Sequence, residues 1–384
     1  MNSFRLCNPT HIEFGVDACD KAGHLCAQAG AKRVLLHFGG NHARRVGLVE
    51  RVRKSLNLAG ITVFELGGVQ PNPRVELCRM GIEICRRERI DFILALGGGS
   101  VIDSAKCIAL GTMYDGDVWN YFDRIEREVG PVLPLGAIVT LPASASENNN
   151  CMVINNEARA RKKSFAHNSL FPKFAILDPA LTVTIPPYQT AAGSVDILAH
   201  LTTFYFTDLA ENDIVYNQIE AVSRAVIKHA PIALAQPDNL ESRAQIMWAA
   251  TIGFNGMLSV GCKADWAGHT IEHEFGGIYD ITHGAGLAIV TLGWLRFMKE
   301  EAKDKILRYI KAVFDVDTDD VDVAIQTLED YFVSLGMPVR FSQVEIGNES
   351  FGDIAVRLER ENGVYGSIKP IDREGTLEIL NLCL

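Results

Sequence analysis

The sequence predicts an α/β domain with a parallel sheet, followed by an all-helical domain. In the first half, short apolar runs alternate with amphipathic segments, whereas the second half keeps only helical periodicity. Near-continuous apolar strands separated by helices are typical of a parallel sheet covered on both faces. A length of 384 residues suits two domains. We therefore predict domains at residues 1–186 and 187–384, with the boundary at the two prolines Pro186 and Pro187.

The individual elements follow from local periodicity. In "GLVERVRKSLNLAG" and "VELCRMGIEICRRERI" the apolar residues recur every three or four positions, which indicates helices with one buried face. In the second half, "PDNLESRAQIMWAATIGFNGM" carries a helix start signal with Asp238 or Asn239 as the N-cap. The predicted strands are the apolar runs 33–38, 61–66, 91–99, 135–142 and 174–178.

Composition and charge exclude several kinds of partner. The formal net charge of -10 leaves no basic excess to neutralise phosphates, so we predict no nucleic-acid partner. No apolar run is long enough to span a membrane, and the first residues do not resemble a signal peptide. The nine cysteines are scattered without a CxxC pair, as in proteins of a reducing compartment. We therefore predict a cytoplasmic protein without a membrane partner.

A glycine-rich turn, "ALGGGSVIDSAK" at residues 95–106, ends a predicted strand and opens a predicted helix. Consecutive glycines let backbone N–H groups approach an oxyanion, and the helix N-terminus behind them favours negative charge. A pyrophosphate at the carboxyl end of a strand fits this position. The pattern is neither GxGxxG nor a P-loop, so a tight structural turn remains an alternative. Asp103 lies in the first turn of the helix, where a carboxylate also complements the helix dipole.

A second glycine pair, in "FGGNHARR" at residues 38–45, follows the first strand of this alternating pattern. In dinucleotide-binding folds a carboxylate near this position commonly holds the adenosine ribose. Here Gly39 stands instead, with Arg44 and Arg45 nearby. The pattern weakly favours a cofactor that carries a 2'-phosphate, and a glycine turn with exposed arginines explains it equally well.

Five polar residues in the helical half are candidates for a metal site. Asp196 and His200 are four residues apart in an apolar segment, so they share one helix face. His269 and His273 repeat that spacing, and His283 follows ten residues later. Buried polar side chains need partners, and borderline divalent metals accept one carboxylate and several imidazoles. Spacing alone leaves open which four of the five are ligands.

Segments spread along the whole chain resemble the iron-dependent alcohol dehydrogenases, and more narrowly their butanol dehydrogenase-like branch. The resemblance implies a dinucleotide-binding α/β domain followed by a helical metal and catalytic domain, the fold shared with dehydroquinate synthase. The matching segments are "GGVQPNP" (67–73), "GGGSVIDSAK" (97–106), "TLPASASE" (140–147), "LDP" (177–179), "VDILAH" (195–200), "HTIEHEFGGIYDITHGAGLAIV" (269–290) and "GSIKPIDREGTLEIL" (366–380).

The resemblance also implies a metal centre holding Fe²⁺, although Zn²⁺ suits the same donors. It places His273 outside the ligand set, near the substrate, as a proton-relay residue, and we predict His273, Asp196 and His269 to be the catalytic residues. The segment "GGIYDIT" (276–282) is then the turn that returns the last ligand to the ion. The four implied ligands are Asp196, His200, His269 and His283.

The cofactor site implied by the resemblance is a nicotinamide dinucleotide site. Relatives that use NAD often carry an acidic residue where Gly39 stands, so NADPH is predicted, with NADH possible. Two departures from the family pattern are Ala145, where the family usually has glycine, and the lack of a serine after the glycines of "FGGNHARR". The predicted cofactor-binding residues are Gly39, Asn72, Gly98, Gly99, Ser100, Asp103, Thr140, Ser144 and Lys162.

The implied reaction is the interconversion of small primary alcohols and aldehydes, such as butanol and butanal, by a homodimer. The metal polarises the carbonyl as a Lewis acid, and the reduced cofactor delivers hydride. Two alternatives use the same fold. One is polyol oxidation of the glycerol dehydrogenase type. The other is a lyase of the dehydroquinate-synthase type, which needs several basic residues around its substrate, and the helical half offers few near its metal motifs.

Overall fold

The structure is a computed structural model that describes residues 1–207 and 212–384. The chain divides into two compact units. One unit is Cys7–Ile185, and the other combines Met1–Leu6 with Pro186–Leu384. The first unit contains the sheet and the second is helical, so the predicted fold class is confirmed.

The α/β unit is built on a six-stranded sheet in the order β1-β8-β5-β4-β2-β3, in which every strand pair is parallel. The five strands predicted from apolar runs are all present, and the central strands β2, β4 and β5 are buried along most of their length. The strands are β1 (His11–Phe14), β2 (Arg33–Phe38), β3 (Thr62–Leu66), β4 (Phe92–Gly98), β5 (Leu135–Leu141), β6 (Cys151–Asn156), β7 (Arg161–Ala166) and β8 (Phe174–Leu177).

The order of the strands reverses between β2 and β4. The chain passes from β2 outward to β3 and then returns to place β4 on the other side of β2. Leu96 of β4 pairs with Phe38 of β2, so the two strands end side by side at the same edge of the sheet. Ligands of open α/β sheets bind outside the carboxyl ends of the strands at such a switch point. The two glycine-rich turns therefore start at the position where a cofactor is expected.

Helices cover the sheet as the amphipathic segments predict. In α4 the buried residues Val75, Cys78, Ile82 and Cys85 recur every three or four positions. By contrast, α5 is buried from Val101 to its end. The helices of this unit are α1 (Ala22–Gln28), α2 (Asn41–Arg45), α3 (Leu48–Leu58), α4 (Val75–Arg87), α5 (Gly99–Thr112) and α6 (Trp119–Phe122).

An antiparallel hairpin of β6 and β7 stands apart from the main sheet. The sequence did not predict it, because "RARKK" lacks the apolar alternation of a half-buried strand. The backbone turns between the two strands at Ala160, whose φ of 48° is left-handed. Lys162 lies on β7, opposite Asn155 of β6.

The helical unit is organised around α7, whose residues from Thr190 to Tyr205 are all buried. A helix that is apolar on every side belongs in the middle of a bundle. The predicted start of α9 is confirmed at Asn239, whose side chain accepts a hydrogen bond from the backbone of Ser242. The helices are α7 (Pro187–Tyr205), α8 (Asp213–Ala235), α9 (Leu240–Gly253), α10 (Ala267–Tyr279), α11 (His283–Phe297), α12 (Lys303–Phe314), α13 (Val321–Ser334), α14 (Phe351–Asn362) and α15 (Arg373–Leu382).

The turn between α10 and α11 is shorter than the sequence predicted. The segment 276–282 was expected to be the turn that returns the last ligand to the ion, but α10 continues to Tyr279. Ile278 packs against the core of the helical unit, which favours continuing the helix despite the glycines. Asp280 then ends the helix in a left-handed conformation, and α11 begins at His283.

Helix length and hydropathy bear on the predicted absence of a membrane partner. In the described part of the chain, no helix combines the length and the apolar character needed to cross a bilayer.

Candidate functional sites

The predicted metal site begins with a buried carboxylate on α7. The side chains of Asp196 and His200 are both only 5% exposed, and His200 Nδ1 lies 3.2 Å from Asp196 Oδ1. No hydrogen bond from any described residue reaches Asp196 Oδ1. A buried carboxylate oxygen of this kind is costly unless a cation approaches it.

The other predicted ligands gather around this carboxylate. Ligand atoms of Asp196, His200 and His269 all lie within 4.8 Å of one another. The ring centroids of His200 and His269 are 4.6 Å apart, and those of His269 and His283 are 5.6 Å apart. His283 Nε2 lies 3.8 Å from Asp196 Oδ1. The structure thus brings together all four residues that the resemblance implied as ligands.

Each of the three imidazoles is held through its Nδ1 atom. His200 Nδ1 donates to the carbonyl oxygen of Asp196 at 2.9 Å. His269 Nδ1 lies 3.3 Å from Thr203 Oγ1, which donates its own proton to a backbone carbonyl and so accepts from the ring. His283 Nδ1 contacts the carboxylate of Glu272. Neutral imidazoles held in this way carry the lone pair on Nε2, the arrangement usual for histidines that bind a metal.

The charge of the carboxylate follows from its neighbours. Burial by itself raises the pKa of Asp196, but the adjacent His200, with His283 behind it, outweighs burial and lowers the pKa below the usual value. Asp196 is therefore ionised at neutral pH. One anionic oxygen and three imidazole nitrogens form a donor set that suits a borderline divalent metal ion.

His273 lies on the other side of His283. It forms a second cluster with Glu272 and His283, in which the ligand atoms are again within 4.8 Å of one another. The ring centroids of His273 and His283 are 5.7 Å apart, and His273 is half-buried. His273 thus lies next to His283, one of the four candidate ligands, and its place beside the substrate stays a prediction.

A close backbone approach holds α11 against α7. A Cβ atom added to Gly284 would lie 2.0 Å from the carbonyl oxygen of Ala192. Gly284 follows His283 directly, and Ala192 lies one turn before Asp196 on α7. The absence of a side chain at Gly284 thus sets the separation of two helices that each carry a candidate ligand.

The glycine-rich turn of the α/β unit is equally crowded. Gly98 ends β4 and Gly99 begins α5. A Cβ atom added to Gly98 would lie 2.9 Å from Leu141 Cβ. One added to Gly99 would lie 2.2 Å from Ser144 Oγ. Ser144 Oγ is buried and has no hydrogen-bond partner within the described chain. An unsatisfied hydroxyl beside exposed helix N–H groups fits an anionic ligand such as a pyrophosphate.

The remaining predicted cofactor residues belong to the same unit. Gly39 follows β2, and a Cβ atom there would find only ordinary contacts, with Val69 O at 3.7 Å and Val101 at 3.8 Å. Asn72 is buried with a left-handed φ of 53°, and Thr140 lies near the end of β5. Of the two arginines near Gly39, Arg44 is exposed and bound to Glu65 at 2.5 Å, and Arg45 is exposed.

A buried lysine that the sequence did not single out, Lys106, lies behind the glycine-rich turn. Lys106 Nζ donates to Ser146 Oγ at 2.9 Å, to both the carbonyl and the side-chain oxygen of Asn149 at 3.0 Å, and to the carbonyl of Cys151 at 2.6 Å. Burial lowers the pKa of Lys106 to about 8, although nearby Asp103 opposes that shift. Asp103 in turn accepts hydrogen bonds from Ser146 Oγ at 2.5 Å and Val153 N at 2.9 Å. Lys106 and Asp103, which share Ser146 as a hydrogen-bond partner, therefore fix the segment that follows Ser144.

Ala145 occupies a backbone conformation that favours glycine. Its φ is 52° and its ψ is 22°, in the left-handed region, and its side chain is buried. An alanine in this conformation costs about 1 kcal/mol relative to glycine, because of its Cβ atom. Ala145 directly follows Ser144, so the left-handed conformation occurs where the loop comes closest to Gly99.

Comparison with known proteins assigns the chain to a class. Residues 9–179 match the family described as iron-containing alcohol dehydrogenase. Residues 190–384 match the C-terminal family of the Fe-containing alcohol dehydrogenases. The chain therefore belongs to the iron-containing alcohol dehydrogenase family, and the predicted family and enzyme class are confirmed.

Particular relatives are similar over almost the whole chain. NADH-dependent butanol dehydrogenase A of Clostridium acetobutylicum is 38% identical over 386 residues, covering 99% of both chains. The NADPH-dependent aldehyde reductase YqhD of Escherichia coli is 33% identical, covering 95% of this chain and 94% of the relative. The crystal structure of NADH-dependent butanol dehydrogenase A from Thermotoga maritima has a TM-score of 0.96 at 33% identity, covering 100% of this chain and 99% of that one. Family and relatives together support a metal and a nicotinamide cofactor.

The contact between α7 and α11 can be tested with a pair of glycine substitutions. Gly284→Ala forces a Cβ atom onto the Ala192 carbonyl, and we expect the free energy of unfolding to fall by about 2 kcal/mol. Gly268→Ala, at the start of α10, is the control because an added Cβ atom there meets nothing within 4 Å. Urea unfolding followed by circular dichroism measures both. Equal stabilities for the two variants would contradict the close approach.

The role of Lys106 can be tested with Lys106→Met, which keeps the length of the side chain but removes its charge and donors. We expect the free energy of unfolding to fall by about 3 kcal/mol, because the buried oxygens of Ser146, Asn149 and Cys151 lose their donor. Hydrogen exchange of residues 144–151 should accelerate as the loop loosens. Lys173→Met, at an exposed site, is the control and should change neither quantity. Unchanged exchange in Lys106→Met would show that the loop is held by other contacts.

Proposed function

We propose that the chain is a metal-dependent aldehyde reductase and alcohol dehydrogenase that acts on small primary substrates such as butanal and butanol, with NADPH as the preferred cofactor. The observation that carries the proposal is the cluster of Asp196, His200, His269 and His283, in which every Nδ1 is already held by an oxygen. This arrangement prepares three Nε2 atoms and one carboxylate for a divalent ion.

The residues of the helical unit are proposed to bind the metal ion. Asp196 and the three imidazoles would hold Fe²⁺ or Zn²⁺ with a net charge of about +1. When bound, the ion supplies Lewis-acid polarisation of the carbonyl or hydroxyl oxygen. Phe254 stacks on His200 with 4.9 Å between ring centroids, so an apolar face lies against this ligand and excludes water from it. His269 and Asp196 thus act by holding the ion.

His273 is proposed to exchange a proton with the substrate oxygen. It is only half-buried and lies beside His283, so its imidazole can accept a proton from solvent and pass it on. An imidazole can both donate and accept a proton, which suits general acid–base catalysis in both directions of the reaction.

The α/β unit is proposed to hold the dinucleotide. Gly98, Gly99 and Ser100 present backbone N–H groups to the pyrophosphate, and Ser144 Oγ adds a hydroxyl donor. Asp103 has both carboxylate oxygens bound within the unit, so we assign it a positioning role for the Ser144 loop. Asn72, Thr140 and Lys162 are proposed to contact the remainder of the cofactor. The nicotinamide itself supplies the hydride chemistry.

The preference for NADPH is proposed from Gly39. Relatives named for NADH and for NADPH are both similar to the chain, so similarity to relatives does not decide between the two cofactors. Gly39 offers no carboxylate to hold a ribose 2'-hydroxyl or to repel a 2'-phosphate, and a side chain there would make only ordinary contacts. We also propose, as the sequence predicted, that the enzyme works in the cytoplasm as a homodimer, which light scattering would show as twice 42.2 kDa.

Metal analysis with two histidine variants tests the metal site. His269→Ala should lose both bound metal and activity. His273→Ala should keep metal stoichiometric while its turnover falls about 100-fold, the range of a general acid–base contribution. Metal content is measured by mass spectrometry of freshly purified protein, and activity by NADPH oxidation with butanal. Glycerol with NADP⁺ or NAD⁺ is assayed in parallel, because preferential oxidation of glycerol would favour the polyol alternative. Stoichiometric metal and full activity in His269→Ala would overturn the assignment.

Gly39→Asp tests the cofactor preference. A new carboxylate within about 4 Å of a 2'-phosphate repels it by ~1–4 kcal/mol, so the affinity ratio of NADPH to NADH should fall at least about tenfold. Dissociation constants are measured by fluorescence titration. Gly130→Asp adds the same charge at an exposed position with nothing within 4 Å and should leave the ratio unchanged. Tighter binding of NADH than NADPH by the unaltered protein would contradict the proposal.

A further inference from the structure

We propose that Glu272 is a positioning residue of the metal centre, and that it acts by holding His283 in the orientation that points Nε2 at the ion. The inference rests on the proposed function, because it assumes that His283 is a ligand. Neither the periodicity of the sequence nor the ligand set implied by the resemblance includes Glu272. It stands between His269 and His273 in "HTIEHEF", where a carboxylate resembles an ordinary helix-surface residue.

Glu272 is one of the few fully buried carboxylates of the described chain. Its relative exposure is 0%, and its Oε2 contacts Nδ1 of His283 across the interface between α10 and α11. A carboxylate in this position must have a donor or a positive charge beside it. The ring nitrogen of His283 meets that need, and the carboxylate in return fixes both the tautomer and the orientation of the ring.

His283 needs this support more than the other two imidazoles do. Its side chain is 26% exposed, compared with 5% for His200, so less packing restrains its rotamer. It is also the first residue of α11, and the preceding Thr282 makes no side-chain cap there. His200 and His269 are restrained by burial, and their Nδ1 atoms need only neutral oxygens as partners. The anionic partner is thus placed on the imidazole with the least packing around it.

The helix facing Glu272 leaves room for it. A Cβ atom added to Gly286 would lie 2.8 Å from Glu272 Cγ and 3.0 Å from its Oε1. Gly286 lies three residues after His283 on the same face of α11. A glycine at this position therefore admits the glutamate side chain to the His283 ring. The two residues form a matched pair across the interface.

One alternative is that Glu272 is itself a ligand. Glu272, His273 and His283 form a compact cluster, which could hold an ion of its own. The position of the carboxylate favours the positioning role, since it occupies Nδ1 of His283 while Nε2 faces Asp196. The two roles differ in their consequence for His273, which is a ligand only in the alternative.

The experiment measures metal affinity rather than turnover. Apoprotein is titrated with Co²⁺ against a competing chelator, and the visible absorption bands of Co²⁺ report the number and type of ligands. We expect Glu272→Ala to weaken Co²⁺ binding by about 10- to 100-fold, the usual effect of removing a residue that orients a metal-bound histidine. Glu272→Gln keeps an acceptor oxygen without the charge. Its Co²⁺ affinity should therefore lie between those of the unaltered protein and Glu272→Ala, and its absorption bands should stay those of the unaltered protein.

Glu274→Gln is the matched control. Glu274 is a buried glutamate on the same helix, but it pairs with Arg357 at 3.1 Å. This variant should lose some stability and keep its Co²⁺ affinity. If Glu272→Ala does not fold, Glu272→Gln and Gly286→Ala carry the test, and Gly286→Ala should weaken Co²⁺ binding by displacing the carboxylate.

Three results would overturn the inference in distinguishable ways. Unchanged affinity in Glu272→Ala, with loss of binding in His283→Ala, would remove the positioning role and leave the metal centre intact. An equal loss of affinity in His273→Ala and Glu272→Ala would make Glu272 a ligand. Absence of Co²⁺ binding by the unaltered protein, or full binding by both Asp196→Ala and His283→Ala, would instead overturn the proposed function on which the inference rests.

Discussion

The helical unit depends on one unfavourable placement, an ionised carboxylate at the centre of an apolar helix. Asp196 lies in the middle of α7, where every residue from Thr190 to Tyr205 is buried. A charge in such surroundings persists only if positive groups or a cation converge on it. The imidazoles of three helices surround the carboxylate as candidate ligands for such a cation, and the backbone approach of α11 at Gly284 brings the last of them within reach. The packing of the bundle is thus inseparable from the charge that it encloses.

The sequence was sufficient wherever the signal was local. The five main strands followed from apolar runs, and the pairing of Asp196 with His200 followed from their spacing on one helix. The role of a histidine, by contrast, depends on residues that are distant in the sequence. His37 is also fully buried, but Leu66 O accepts from its Nδ1 and Ser104 Oγ lies 2.8 Å from its Nε2, and burial lowers its pKa to about 4. Only the positions of its partners distinguish this satisfied core histidine from a candidate ligand.

The same limit explains which residues the sequence did not identify. Lys106 was visible only as the end of the glycine-rich motif, because its acceptors lie 40 to 45 residues further along the chain. Glu272 was hidden for a similar reason, since its partner is on the following helix. The segment 276–282 was wrong in the opposite direction. It was predicted to be a turn, but the packing of Ile278 against the core favours continuing the helix to Tyr279.

The four bonds of Lys106 have a consequence for how a dinucleotide is received. They tie Ser146, Asn149 and Cys151 to α5, so the loop beside the glycine-rich turn is ordered by folding itself. A loop that is already rigid loses little conformational entropy when a ligand arrives. Association should then resemble the docking of two preformed surfaces, with a rate set by diffusion and orientation and not by the folding of a flap.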